Sequence, residues 1–84
     1  MRNKALKRES TSLRPTIWIG KGGVDQNIID QVKTQIKAKH LIKIKVQQPA
    51  YNQDNLEKII HQVIEKANVI LIDTRGRTFI VAKS

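Results

Sequence analysis

Residues 17–24 read IWIGKGGV and hold three of the four glycines in this 84-residue chain. The residues before Gly20 are β-prone, and Pro15 biases the residue preceding it away from helical backbone, so the sequence predicts a strand there. Apolar residues at helical spacing begin at Val24, which predicts a helix directly after the glycines. The stretch is therefore interpreted as a strand-to-helix turn, in which Gly20 and Gly23 can adopt positive φ.

A glycine turn at the start of a helix can bind an anion. Exposed backbone N–H groups and the helix dipole would point to one spot beside Lys21. The spacing is too short for the Gly-x-x-x-x-Gly-Lys-[Ser/Thr] motif, and Asp25 stands where the dinucleotide-binding motif requires a small residue. Asp25 argues against an anion, because a carboxylate in the first turn satisfies the dipole itself. We predict a phosphate contact by Gly20, Lys21, Gly22 and Gly23, with a purely structural use of the glycines as the open alternative.

The charge of the chain favours a polyanionic partner. Sixteen Lys and Arg side chains against seven Asp and Glu give a net charge of +9. Residues 1–50 carry 11 basic and 3 acidic side chains, whereas residues 51–84 carry 5 and 4. The excess is thus concentrated around the glycine turn, which favours nucleic acid, and an acidic protein or a membrane surface is the alternative.

Composition also limits the class of protein. The length fits one small domain, which we place at residues 13–84, after a basic arm or short helix at residues 1–12. Cysteine is absent, and no apolar run approaches the roughly 18 residues that a membrane span requires. We expect a cytoplasmic, monomeric protein that does not bind membranes.

Hydrophobic spacing predicts the remaining elements. Helices are predicted over residues 24–39 and after residue 54, where Asp54 and Glu57 form a capping box. Residues 41–46 alternate as a strand with one apolar and one wet face, and residues 68–73 and 77–83 form a hairpin around Gly76. The order (α)-β-α-β-α-β-β predicts an α/β fold with a four-stranded mixed sheet and helices mainly on one side.

Further basic side chains could extend the phosphate contact. These candidates lie in the N-terminal segment, before the first strand, on the exposed strand face and at the hairpin tip: Lys4, Lys7, Arg8, Arg14, Lys43, Lys45, Arg75 and Arg77. Each has an ordinary structural alternative as a frayed terminus, an edge-protecting lysine or a solvated turn residue. Trp18 is expected to pack under the N-terminal segment, with base stacking as its alternative, and Tyr51 is a weaker stacking candidate.

Catalysis is not expected. His40 and His61 fall on different predicted elements, and the carboxylates lack ligand-like spacing. We therefore expect no catalytic residue, no metal site and no cofactor.

Three sequence blocks occur in a fixed order. They are residues 13–15 (LRP) leading to 19–24 (IGKGGV), residues 41–46 (LIKIKV) and residues 75–81 (RGRTFIV). Over residues 13–83 the chain resembles the YhbY/CRM family, the small domain of chloroplast RNA splicing and ribosome maturation. The resemblance implies a fold similar to the C-terminal domain of translation initiation factor 3, and a loop at Gly20–Gly23 used much as a KH domain uses its own.

The same resemblance implies an RNA partner. Stand-alone members of the family associate with precursors of the large ribosomal subunit, and this chain resembles the single-domain prokaryotic type. We therefore expect an rRNA-binding protein associated with large-subunit assembly. The alternative from fold and charge is an architectural nucleic-acid-binding protein of the Alba type.

Overall fold

The computed structural model describes residues 14–48 and 55–84. Within these ranges it contains four strands and two helices: β1 (Pro15–Ile19), α1 (Gln26–Lys39), β2 (Leu41–Val46), α2 (Leu56–Ala67), β3 (Val69–Arg75) and β4 (Thr78–Lys83). The proposed arm or helix at residues 1–12, and Tyr51, lie outside the described residues. Neither described helix is long and apolar enough to cross a membrane.

The four strands form one mixed sheet in the order β1-β2-β4-β3. β1 pairs with β2 in parallel, whereas β4 pairs in antiparallel fashion with both β2 and β3. This confirms the predicted α/β fold. A two-residue turn at Gly76 and Arg77 joins the last two strands, and Gly76 adopts a φ of 58° as the hairpin prediction requires.

Side-chain caps set where both helices begin. The Asp25 carboxylate accepts the backbone N–H of Ile28, so α1 starts at Gln26 and not at Val24 as predicted. The Asn55 side chain accepts the N–H of Lys58 in the same way, so the predicted cap at Asp54 is wrong by one residue. His40 ends α1 in left-handed backbone with a φ of 65°, and its N–H donates to the Ile36 carbonyl.

Both described helices pack on one face of the sheet. Their apolar stripes meet inward-facing strand residues in one buried cluster, whose largest fully buried members are Phe79, Ile17, Ile19, Ile42, Ile44 and Ile59. A buried Leu, Ile or Phe contributes about 1.5–3 kcal/mol relative to full exposure. This cluster therefore holds the glycine turn between two well-anchored elements.

The opposite face of the sheet is less exposed to solvent than the sequence predicted. Leu41, Ile72, Ile80 and Ala82 form a second buried cluster there. Of the predicted polar face of β2, Lys45 is exposed and Lys43 is half-buried, but Leu41 is buried. The reason is that β4 is apolar at successive positions, so both of its faces contribute to a core.

Candidate nucleic-acid interface

The topology brings three separate segments to one end of the sheet. β1 and β2 are parallel, so the turn after Ile19 lies beside Val46 and Gln47. β4 is antiparallel to β2, so the hairpin turn at Gly76 and Arg77 reaches the same end. Two hydrogen bonds join these segments: Gln47 N–H to the Ile19 carbonyl at 2.9 Å and Val46 N–H to the Arg77 carbonyl at 2.8 Å. We call this surface, Gly20–Gly23 with Lys45 and Gly76–Arg77, the loop end.

The glycine turn is held by its own backbone. Gly23 adopts a φ of 67°, and its N–H donates to the Gly20 carbonyl at 2.9 Å. Gly20 does not use the positive φ that is open to a glycine, so Gly23 alone supplies it in this turn. A Cβ at Gly20 would lie 3.1 Å from Gln47 Oε1, so the glycine there relieves crowding and not backbone strain.

Asp25 limits the anion site that the sequence predicted. Its Oδ1 accepts the Ile28 N–H at 2.9 Å, which uses one of the first-turn amides. Its Oδ2 lies 3.3 Å from the position that a Cβ on Gly22 would occupy, so negative charge stands beside the turn. The helix start is therefore already capped, and a phosphate contact depends on the tip of the turn.

The tip of the turn is accessible. Lys21 and Gly22 are both exposed, and within the described part of the chain their backbone N–H groups have no hydrogen-bond acceptor. The Gly23 N–H is not available in the same way because the turn uses it. Two adjacent amides and the Lys21 ammonium group thus form the part of the turn that can meet an anion.

Hydrogen bonds also join the two elements that flank the turn. The Thr16 hydroxyl donates to Gln35 Oε1 at 2.6 Å, and Gln35 Nε2 donates to the Thr16 carbonyl at 3.4 Å. Thr16 lies near the start of β1 and Gln35 in the C-terminal half of α1, so these contacts are away from the glycines. They hold β1 against α1, while the turn itself is closed by the hydrogen bond from the Gly23 N–H to the Gly20 carbonyl.

Two further cations reach the loop end. Lys45 is exposed on the outer sheet face, in register with Thr78 of β4, and Arg77 is exposed in the hairpin turn. Arg75 lies beside them, but its Nε is 3.3 Å from Asp73 Oδ2. That ion pair neutralises part of the Arg75 charge, so Arg77 is the stronger candidate of the two.

Other predicted site residues are not brought to this end. Arg14 precedes β1, and the five residues of that strand separate it from Gly20, so the two positions are about 20 Å apart. Lys43 is half-buried in the middle of the sheet, opposite Ile80, and it has an interaction partner. Lys4, Lys7 and Arg8 lie outside the described residues. The structure therefore gathers Gly20–Gly23, Lys45, Arg75 and Arg77, and separates Arg14 from them.

Trp18 lies next to the loop end on the outer face of β1. Half of its surface is exposed, and it is in register with Lys45. The preferred expectation, packing under the N-terminal segment, involves residues outside the described ranges. The exposed half of the indole can accept a stacked base beside a lysine.

Sequence reasoning missed the role of Gln47. Its backbone and side chain both meet the first strand-to-helix turn, although the two segments are far apart in sequence. Only the parallel register of β1 and β2 could have revealed this contact, and no local pattern encodes that register.

The described residues offer no alternative chemical centre. No group of three or more His, Cys, Asp or Glu residues is placed to hold a metal ion within the described ranges. A cavity of about 380 Å³ lies between α2 and β3, and its lining is mostly aliphatic, with Leu56, Ile60, Ile64 and Leu71. His61 borders the cavity, and its Nε2 lies 3.5 Å from Glu65 Oε2 in a mostly exposed pair.

Known proteins of one domain family are similar to this chain. The family model of the CRS1/YhbY (CRM) domain matches residues 2–83, which extends the resemblance into the N-terminal segment. The Bacillus subtilis protein YqeI, a probable RNA-binding protein, is 30% identical over 78 residues, covering 93% of this chain and 79% of its own. A probable RNA-binding protein of Methanocaldococcus jannaschii is 26% identical over 73 residues, covering 87% of this chain and 54% of its own.

A solved structure shares the fold. The solution structure of a hypothetical Staphylococcus aureus protein, described as a candidate RNA binder, aligns with a TM-score of 0.79 and 23% identity. The alignment covers 98% of this chain and 83% of that one. With a family match over almost its whole length, the chain belongs to the CRS1/YhbY (CRM) domain family.

Proposed function

We propose that this protein binds RNA through the loop end. The observation that carries the proposal is the convergence of an accessible glycine turn with Lys45 and Arg77, contributed by three segments that are distant in sequence. The relatives from Bacillus subtilis and Methanocaldococcus jannaschii are described as probable RNA-binding proteins, which supports RNA as the class of partner.

The contact is made mainly with the phosphate backbone. The N–H groups of Lys21 and Gly22 and the Lys21 ammonium group approach a phosphate, while Lys45 and Arg77 meet neighbouring phosphates. Such contacts position a nucleic acid but carry no sequence information. Trp18 adds stacking on an unpaired base, which is also independent of sequence. The protein therefore recognises the shape of an RNA and its unpaired positions.

We further propose rRNA as the partner and large-subunit assembly as the setting. Family resemblance supports this step, since stand-alone CRM proteins associate with large-subunit precursors. The protein would act in the cytoplasm as a monomer, without catalysis. Crosslinking in cells followed by sequencing of the attached RNA tests the partner. Recovery of large-subunit rRNA regions is expected, and recovery of unrelated transcripts alone would contradict this part of the proposal.

Substitution at the turn tests the loop end directly. Changing Lys21 and Gly22 together to Asp places two carboxylates where the phosphate would lie, so we expect loss of measurable RNA binding. Lys66→Asp makes the same lysine-to-aspartate change near the C-terminus of α2, and it should weaken binding only slightly. Circular dichroism shows whether each variant is folded, and Trp18 fluorescence reports RNA binding. Unchanged RNA affinity in a folded double variant would remove the loop end from the mechanism.

A competition assay between duplex DNA and rRNA distinguishes the proposed RNA binding from the Alba-like alternative. An architectural binder of duplexes contacts DNA and RNA backbones through similar electrostatics, so duplex DNA should then compete with rRNA at equal concentration. A protein that reads RNA shape and unpaired bases should prefer rRNA by about tenfold or more. Equal competition at fixed salt would favour the architectural role.

A further inference from the structure

A second cationic surface lies at the opposite end of the domain. Both helices and β4 end there, and their last residues surround a cavity of about 350 Å³. Lys33, Lys37 and Lys83 line this cavity. We call these three residues the distal lysine cluster.

The fold, and not the local sequence, brings the three lysines together. Lys33 and Lys37 are four residues apart on α1, so they share one side of the helix. Lys83 alternates with Phe79 and Val81, which belong to the helix-side core, so its side chain points toward the helices. Its backbone N–H donates to the His40 carbonyl at 3.0 Å, which fixes the end of β4 beside the end of α1.

The charge of the cluster is not balanced by the described residues. No carboxylate within the described ranges forms an ion pair with Lys33, Lys37 or Lys83. The C-termini of α1 and α2 lie nearby, and their dipoles together offset about one unit of charge. Dipole complementation therefore accounts for part of the cluster, and positive charge remains around the cleft, which Ser84 also lines.

The two basic surfaces are far apart. Arg77 and Lys83 are six residues apart along the direction of β4, about 20 Å. Lys37 lies 11 residues after the first residue of α1, about 17 Å along the helix axis. Two neighbouring phosphates bound at one end therefore do not reach the other end.

We propose that the distal lysine cluster is a second phosphate-binding surface, which holds an RNA segment separate from the one at the loop end. One copy of the protein would then join two RNA segments, as expected for a small protein that brings parts of a folded RNA together. The inference rests on the proposed function, since it assumes that the loop end already binds RNA.

Stoichiometry tests the inference. A short RNA hairpin, too small to reach both ends, is titrated into the protein at low salt and followed by native mass spectrometry and calorimetry. The wild type should bind two hairpins. The triple variant Lys33→Gln, Lys37→Gln, Lys83→Gln should bind one, with the loop-end affinity unchanged. The matched variant Lys21→Gln, Lys45→Gln, Arg77→Gln removes the same charge and should lose the other hairpin.

The second binding step should also depend on salt. Three phosphate contacts lose roughly 20- to 40-fold in affinity between about 50 and 200 mM salt. Saturation of the wild type at one hairpin would overturn the inference and leave the proposed function standing. This is also the result expected if the distal lysine cluster binds an acidic protein and not RNA. A triple variant that still binds two hairpins would also overturn it. Absence of any hairpin binding by the wild type would overturn both.

Discussion

Gly23 is the residue whose backbone conformation in the turn favours glycine. Its φ of 67° lies in left-handed backbone, which costs a residue with a Cβ about 1–2 kcal/mol. Gly20 has no such demand, and a Cβ there would meet only the end of the Gln47 side chain. The sequence could identify the glycines as a turn, but it could not tell which of them adopts positive φ, because that depends on the turn type.

Gly23→Ala should therefore lower the free energy of unfolding by about 1–2 kcal/mol. Gly20→Ala is the matched control and should cost less, since Gln47 is exposed and can move. Urea unfolding followed by Trp18 fluorescence measures both variants. Equal losses in the two variants would show that left-handed backbone is not the reason for Gly23.

Asp25 has two opposing effects that a substitution can separate. Asp25→Asn keeps a good N-cap but removes the charge beside Gly22, so we expect little change in stability and an RNA affinity that rises roughly fivefold, since one unit charge at about 4 Å is worth roughly 1 kcal/mol in water. Asp25→Ala should raise RNA affinity similarly but lower the free energy of unfolding by about 1 kcal/mol.

Fluorescence titration with RNA at low salt and urea unfolding provide the two measurements. If Asp25→Asn binds RNA no better than the wild type, the carboxylate does not face the bound phosphate, and the contact lies elsewhere on the loop end.

At the scale of the helices and strands, the sequence predicted the type of every described element and missed some of their limits. The hydrophobic stripes of α1 and α2 were sufficient to predict both helices, because a periodicity of 3.6 residues can be read from the local sequence alone. The first residue of each helix depends on which side chain folds back onto the backbone, and Asp54 and Asn55 are equally good caps by composition. The burial of Leu41 was missed because it depends on the register with β4, which no local pattern shows.

The cap of α2 can be tested on its own. Asn55→Ala should lower the free energy of unfolding by about 1 kcal/mol, because the N–H of Lys58 loses its acceptor. Asn55→Asp keeps an acceptor at the same position and should cost much less. Thermal or urea unfolding measures the difference, and equal losses would mean that the observed hydrogen bond contributes nothing to stability.

The second buried cluster also has a measurable consequence. Ile80 is 1% exposed on the outer face of the sheet, whereas Ile70 on the neighbouring strand is 44% exposed. Ile80→Ala should therefore cost about 2–5 kcal/mol, and Ile70→Ala should cost clearly less. Similar losses, measured by urea unfolding, would show that the outer face around Ile80 is not a core.

At the scale of the whole molecule, the loop end and the distal lysine cluster place basic side chains at the two opposite ends of the strands. The sequence showed the excess of Lys and Arg and its concentration before residue 50, but it could not show that Arg77 joins the glycine turn while Arg14 does not. Those positions follow from one parallel and two antiparallel pairings. The same pairings place Lys83 beside the C-terminal half of α1 at the other end, which no local sequence pattern shows.

The most direct test of the loop end is the salt dependence of RNA affinity. The variant Lys21→Gln with Arg77→Gln should reduce the slope of log affinity against log salt by roughly 1.4–1.8, which corresponds to two lost phosphate contacts. The control Lys58→Gln with Lys66→Gln removes the same charge from α2 and should leave the slope nearly unchanged. A slope that is equal in both variants, or unchanged in the first, would contradict RNA binding at the loop end.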